Sequence, residues 1–403
     1  MTSVSLLNPA RPYIVFGKPD IQQAEIDEVL DSLQSGWLGT GPKVKAFERA
    51  ITQYVGMEHA VATNSCTAAL HLALLASGIG PGDEVIVPTM TFCATANVVL
   101  HAGARPVLVD VDGASQCLTA EAVEAAITPR TKAVIPVHFA GWPADLPSLR
   151  SVADRHGLKI IQDAAHCLEG RIESIPPSRY GDVSCFSFYS TKNVVTGEGG
   201  MAVTNDRAVA ERMRVLGLHG IDADAWTRFS SAGYRHYSCA APGFKYNMMD
   251  LQAALGLHQL ARAEENLQVR EAQWARYAEA LRYLPLDLPA TPPPGVRHAR
   301  HLYTVRVRPE APLTRDALMA ALHERGIGTG VHYVPVHEHP YYRELLQNPE
   351  GMYPVASAIG RDTCSLPLGP GLRNEEQASV IAALHDTLSG ADGRQPNERS
   401  ERA

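Results

Sequence analysis

The sequence has no paired cysteines, no excess of basic charge and no long apolar run. Seven cysteines (Cys66, Cys93, Cys117, Cys167, Cys185, Cys239 and Cys364) are scattered along 403 residues without a CxxC pair. Several fall inside apolar, strand-like runs, so they read as buried thiols of a reducing compartment rather than a disulfide or zinc framework. Lysine and arginine number 36 against 43 aspartates and glutamates, a formal charge of -7. That balance lacks the basic stripe a nucleic-acid surface needs, although a local cluster of cations can still take an anionic small substrate. No apolar stretch reaches the length of a membrane span, and MTSVSLLNPARP at the start has no basic region followed by an apolar signal core. A soluble, cytoplasmic protein is expected, without nucleic-acid or membrane partners.

What the chain does have is a rhythm. After an extended arm to about Gly17, the spacing of Ile26, Val29, Leu30 and Leu33 predicts a helix, which SGWLGTGP (35–42) ends; a second helix carries Val44, Phe47 and Ile51 on one face. Short β-branched runs then alternate with helices of about ten residues: HAVATNS (59–65), DEVIVP (83–88), RPVLVDVD (105–112), KAVIPVHF (132–139) and LKIIQD (158–163) are the strands. This alternation predicts an α/β fold with a parallel sheet covered on both faces. DVSCFSFY (182–189) and MAVTND (201–206) are separated by a turn, which predicts one antiparallel strand there. One long helix is predicted from Met249 to about Leu284, followed by a proline-rich connector (285–297), a smaller α+β unit to residue 388 and a polar, disordered tail over 389–403.

Three weak chemical signals occur in order along this sheet. First, the strand HAVATN runs into SCT and a helix start, where Ser65, Thr67 and free amides offer an anion cradle; an ordinary N-cap is the alternative. Second, Asp163 ends a strand expected to be central, at the carboxyl edge where ligands bind in such sheets. It either caps the following helix or holds a protonated ring nitrogen of a cofactor. Third, Lys192 follows the strand 182–189, on which Val183, Cys185, Ser187 and Tyr189 share one face. Desolvated, it becomes a nucleophilic amine; solvated, it is only a surface charge. Gly197, Gly199 and Gly200 let the next strand come close. GIGPGD (78–83) imitates a dinucleotide fingerprint but follows a helix and precedes a strand, so it is a turn.

The three signals in this order match the layout of pyridoxal phosphate (PLP) enzymes of the aspartate-aminotransferase fold. SGWLGTGPKVKAFE (35–48), NSCTAALHLAL (64–74), IIQDAAHCLEG (160–170), GDVSCFSFYSTKNVVTGEGG (181–200), GFKYNMMDLQAALGLHQL (243–260) and VHYVPVHEHPYY (331–342) resemble the DegT/StrS-type sugar aminotransferases. The resemblance implies a PLP-binding large domain (18–260) with a mainly parallel seven-stranded sheet, and a small domain (261–388) entered through the helix 249–284. It also implies that Lys192 forms the internal aldimine with PLP and shuttles the proton of a 1,3-prototropic shift. Asp163 would keep the pyridine nitrogen protonated. Ser187, Thr67 and the Cys66–Ala68 backbone would bind the phosphate. Phe92 matches an aromatic that stacks on the ring, with a core phenylalanine as the alternative, and His166 sits where relatives place a group near the cofactor hydroxyl. Asn247 matches a residue that reaches the neighbouring subunit's phosphate, which implies a homodimer with shared sites. Trp37, His332 and Tyr333 are candidate substrate contacts, with ordinary packing as the alternative.

The implied activity is transfer of an amino group from an amino acid, L-glutamate by resemblance, to a keto group of a nucleotide-linked deoxysugar. A keto-cyclitol acceptor and a non-enzymatic regulatory protein are the rival readings, and the intact lysine, aspartate and serine argue against the second. Three departures stand out: Gln162 where relatives commonly have glutamate, Cys66 where glycine is usual, and the two-proline insert 172–182, expected at the active-site rim. His332, His337 and His339 match no standard ligand spacing, so no metal is expected.

Overall fold

The computed structural model describes residues 13–221 and 238–389. Most of the predicted arm (1–12) and the predicted tail (390–403) lie outside them. The helices α1 (Gln23–Ser35) and α2 (Pro42–Val55) lead into the alternating region. There β1 (His59–Thr63), α3 (Cys66–Ala76), β2 (Glu84–Pro88), α4 (Cys93–His101) and β3 (Arg105–Val109) follow one another. They continue as α5 (Ala120–Ala125), β4 (Thr131–Val134), α6 (Leu146–His156) and β5 (Lys159–Asp163). A short β6 (Arg171–Ile172) precedes β7 (Val183–Ser187), β8 (Gly200–Thr204) and α7 (Arg207–Gly217).

Seven of these strands form one sheet in the order β1-β8-β7-β5-β4-β2-β3. Only β8 runs against its neighbours β1 and β7, as the turn between residues 189 and 201 predicts. The remaining pairs are parallel, and Asp163 lies opposite Cys185 in the β5–β7 register. Their side chains feed two apolar cores, one on each face: Val183 and Cys185 go to one, Phe186 to the other. Helix α3 is apolar nearly all round and buried, so it lies between strands and other helices rather than at the surface.

The expected long helix is two. After α8 (Asp250–Ala261) the backbone of Arg262 leaves helical geometry (φ −100°, ψ 7°), and α9 (Ala263–Leu281) starts again. No glycine or proline marks the break. The Arg262 guanidinium turns back onto Asp20 and Glu25, and such an interaction has no local sequence signature. The chain continues through β9 (Leu286–Asp287), β10 (Val296–Arg297) and β11 (Tyr303–Val307), then α10 (Arg315–Glu324), α11 (Pro340–Leu346) and α12 (Pro354–Asp362). It ends in β12 (Thr363–Leu366) and α13 (Asn374–Leu388). The antiparallel sheet β12-β11-β9 builds a third core with α9, α10 and α13. Ile14 pairs with Ile327 at its edge, so the described end of the arm docks on this unit. Among the described residues, no helix is long and apolar enough to cross a membrane, and all seven cysteines are free.

Candidate active site

The carboxyl ends of β1, β5 and β7 meet over one cavity of about 430 Å³, a volume typical of small-molecule sites. Cys66, Thr67, Phe92, Asp163, His166, Ser187, Lys192, His332 and Tyr333, all picked out from sequence, line it together. Two local devices build its floor. Ser65 caps α3 by accepting the Ala68 N–H at 3.1 Å, which leaves the helix start aimed at the cavity. Gly200 at the start of β8 lies against it so closely that a Cβ there would sit 2.3 Å from the Ser65 carbonyl carbon and 2.4 Å from Cys66 N. The cap also narrows the expected cradle. The Ala68 amide belongs to Ser65 and Ala68 does not line the cavity, so the Cys66 and Thr67 amides are the ones left to an anion.

Asp163 is buried, and the expected helix after it does not form: the chain turns directly from β5 toward β6, so Asp163 has no helix to cap. Its Oδ1 accepts the Ala165 N–H at 3.2 Å within that turn, while its Oδ2 accepts the Thr95 hydroxyl at 2.8 Å. Burial pushes its carboxyl up, and the Thr95 and Ala165 bonds and the Lys192 charge pull against that. Lys192 keeps some surface, but it faces the cavity rather than bulk water; burial pulls its amine down to about 8, and Asp163 only partly restores it. It is therefore no surface charge. Thr95 was not foreseen, although TFCAT places it one turn from Thr91, whose hydroxyl it meets at 2.8 Å.

Phe92 is 56% exposed, so the core alternative fails: its ring stands at the mouth, 5.9 Å from Tyr333. The Tyr333 hydroxyl meets His166 Nε2 at 3.0 Å, while His166 Nδ1 is buried with no partner. His332 Nδ1 meets Ser365 Oγ at 2.8 Å, and His337 meets Thr89 and Ser357, so the three histidines do not converge. No group of metal-ligating side chains occurs among the described residues.

Besides Ala68, two predicted site residues lie outside the cavity within one chain. Asn247 donates to Thr40 Oγ1 at 2.7 Å and lines a separate pocket. Trp37 lies past the end of α1 and is exposed. The 172–182 insert is not at the rim either. None of it lines the cavity: Ile172 and Arg171 pair with β10, and Asp182 bonds to the Ile160 N–H at the opposite end of β5. The insert instead accounts for Gln162. Its amide donates to Pro177 O at 2.9 Å, which no carboxylate can do, and its Oε1 accepts from His138 Nε2 at 2.9 Å.

An orphaned buried nitrogen at His166 and a helix start whose Cys66 and Thr67 amides line the cavity beside the Ser187 and Thr67 hydroxyls both fit a phosphate-bearing, hydroxylated aromatic cofactor. Comparison with known proteins agrees. Residues 19–385 match the sequence pattern of the DegT/DnrJ/EryC1/StrS aminotransferase family. The chain is 46% identical to the spore coat polysaccharide biosynthesis protein SpsC of Bacillus subtilis over 94% of this chain and 98% of that one. Spr1654 of Streptococcus pneumoniae, described as a sugar aminotransferase and solved in a PMP form, superposes with a TM-score of 0.86 at 34% identity, covering 93% and 97% of the two chains. DesV of S. venezuelae, solved in complex with a ketimine intermediate, gives 0.83 at 38%, covering 93% and 98%. The chain belongs to the DegT/DnrJ/EryC1/StrS family and is a PLP-dependent aminotransferase.

Proposed function

We propose that this enzyme moves an amino group from L-glutamate to a keto group of a nucleotide-linked deoxysugar, with Lys192 as the amine that carries the cofactor and moves the proton. The observation that carries the reading is the desolvated Lys192 sharing one cavity with Asp163 and a phosphate cradle. Bound PLP supplies the electron sink that makes a substrate Cα–H acidic. The protein does the rest. The Cys66 and Thr67 amides with the Thr67 and Ser187 hydroxyls would hold the phosphate. The Asp163 carboxylate, fixed by Thr95, would hold the ring nitrogen and keep a proton on it, and His166 Nδ1, buried without a partner, would serve the phenolic oxygen. Phe92 would cover one face of the ring. Lys192, losing its proton near pH 8, is a competent base and nucleophile at neutral pH, where an ordinary lysine is not. Tyr333 and His332 line the acceptor side. The sugar acceptor is supported by the similarity to SpsC and Spr1654.

The test is chemical and then enzymatic. Protein mixed with PLP is expected to turn yellow, and borohydride followed by peptide mass spectrometry to place the label on Lys192. A panel of keto-sugar nucleotides and keto-cyclitols, with glutamate or glutamine as donor, then decides the acceptor. A colourless protein defeats the site assignment; turnover of cyclitols alone defeats the sugar assignment.

A further inference from the structure

Behind Lys192 runs a buried polar chain that none of the roles above uses. Glu169 and Arg270, both almost fully buried, form an ion pair at 2.6 Å. Glu169 Oε2 accepts from Asn193 Nδ2 at 2.9 Å, and Ala299 O accepts from the same nitrogen at 3.0 Å. Neither acceptor has a proton to give, so the Asn193 amide has one orientation, with its NH2 toward them and Oδ1 away. That oxygen meets His301 Nδ1 at 2.9 Å, so the His301 proton is on Nδ1 and its Nε2 is a bare acceptor. His301 packs against His166 with 4.5 Å between ring centroids. With Lys192, Asn193 and Arg270 it also lines a second cavity of about 20 Å³, room for a water or two. Arg270 Nε and Nη1 are buried there without partners.

We propose that Asn193 is a positioning residue for Lys192: it ties the lysine loop to Glu169 and Arg270, and it fixes the His301 tautomer so that a bare nitrogen serves the cavity Lys192 shares. The bland reading, a staple between the large sheet and α9, explains the Glu169–Arg270 pair. It does not explain why the staple runs through the residue next to the lysine and ends on a ring beside His166. The charged and titratable groups around the pair are few. Burial first, then Lys192, His332, Arg270 and His298, keep His301 neutral. Lys192 is faced by Asp163 and Cys66, with His166, His301 and His332 close enough to feel its charge. A neutral acceptor among them stabilises a protonated nitrogen on Lys192 without adding a second cation.

The inference rests on Lys192 being the cofactor-bearing amine, and the borohydride label tests that premise separately. The experiment uses the full chain loaded with PLP and reads the pH midpoint of the cofactor's visible absorbance, together with the rate at which added PLP gains its lysine-bound colour. Asn193→Ala is expected to lower the midpoint by about one pH unit, the worth of one hydrogen bond to a charged group, and to slow colour formation about tenfold. His301→Phe keeps the ring and its packing but removes both nitrogens, and is expected to do the same with melting temperature nearly unchanged. It carries the test if Asn193→Ala fails to fold. A label on Lys192 with wild-type midpoint and rate in His301→Phe overturns the proposal; so does an Asn193→Ala protein that loses melting temperature alone.

Discussion

A lysine whose amine is enclosed by protein carries a cost that titration can read. Its ordinary pKa is 10.5 and burial lowers it to about 8 in the fold. Below pH 8 the side chain is protonated both folded and unfolded, so folding bears the full cost of hiding the charge. Above 10.5 it is neutral in both states and the cost is gone. Between these limits the unfolded chain binds more protons, so this group makes stability rise with pH. The 2.5-unit difference corresponds to about 3 kcal/mol. Apo Lys192→Met is therefore expected to be more stable than apo wild type at pH 7 by up to about 3 kcal/mol, less whatever Asp163 loses with its cation. Urea unfolding at pH 7, 9 and 10.5 checks it: the gap should close across this range, and a gap independent of pH would mean that Lys192 titrates as a solvated amine. Binding PLP should reverse the order, because only wild type can bond it covalently.

At the scale of elements, the phosphate cradle depends on how closely β8 approaches the start of α3. A Cβ on Gly200 would overlap the Ser65 carbonyl and the Cys66 amide, backbone atoms that cannot swing aside. Gly200→Ala is expected to push the helix start away, destabilise the protein by about 1–3 kcal/mol and weaken PLP binding at least about tenfold, as read by absorbance titration. Affinity within twofold of wild type would show that the cradle does not hold the phosphate. The sequence was informative here because glycine spacing and strand ends are local: β8 runs antiparallel, Asp163 and Ser187 close their strands, and Lys192 follows the second at the same cavity. It was silent where side chains act at long range. Gln162 reads as a departure until its amide is seen bonded to Pro177, and Arg262 breaks a helix through ion pairs to residues some 240 positions earlier. Helix α1 shows the same limit in another form. Its apolar period is real, but the buried positions are Glu25 and Ser32, because Glu25 bonds to Arg262 and Gln259. The apolar stripe faces outward.

That stripe matters for the whole molecule. Ile26, Leu30, Leu33 and Trp37 recur along one exposed side from α1 into the following loop, and Leu38 and Met249 are exposed too. Monomeric proteins seldom leave so continuous an apolar surface open. Three residues past Trp37, Thr40 accepts a hydrogen bond from Asn247. Besides Ala68, Trp37 and Asn247 are the predicted site residues that one chain keeps away from its own Lys192 cavity. We propose that a second copy of the chain covers the stripe, which would give the apolar face a partner and deliver the residues beside it to the other copy's site. Leu33→Glu tests this directly. In a twofold dimer the substitution counts twice, and losing two buried leucines while burying two carboxylates weakens association by at least about a thousandfold. Sedimentation at micromolar concentration is expected to show a dimer for wild type and a single chain for the variant. The variant should keep a folded cavity but bind PLP weakly and turn over poorly. Mixing Lys192→Ala with Asn247→Ala subunits adds the decisive arm: activity returns on mixing only if each site draws on both chains, because one hybrid site then has both its lysine and its asparagine. Wild type that is fully active as a single chain would leave the stripe unexplained and leave Asn247 with its Thr40 bond alone.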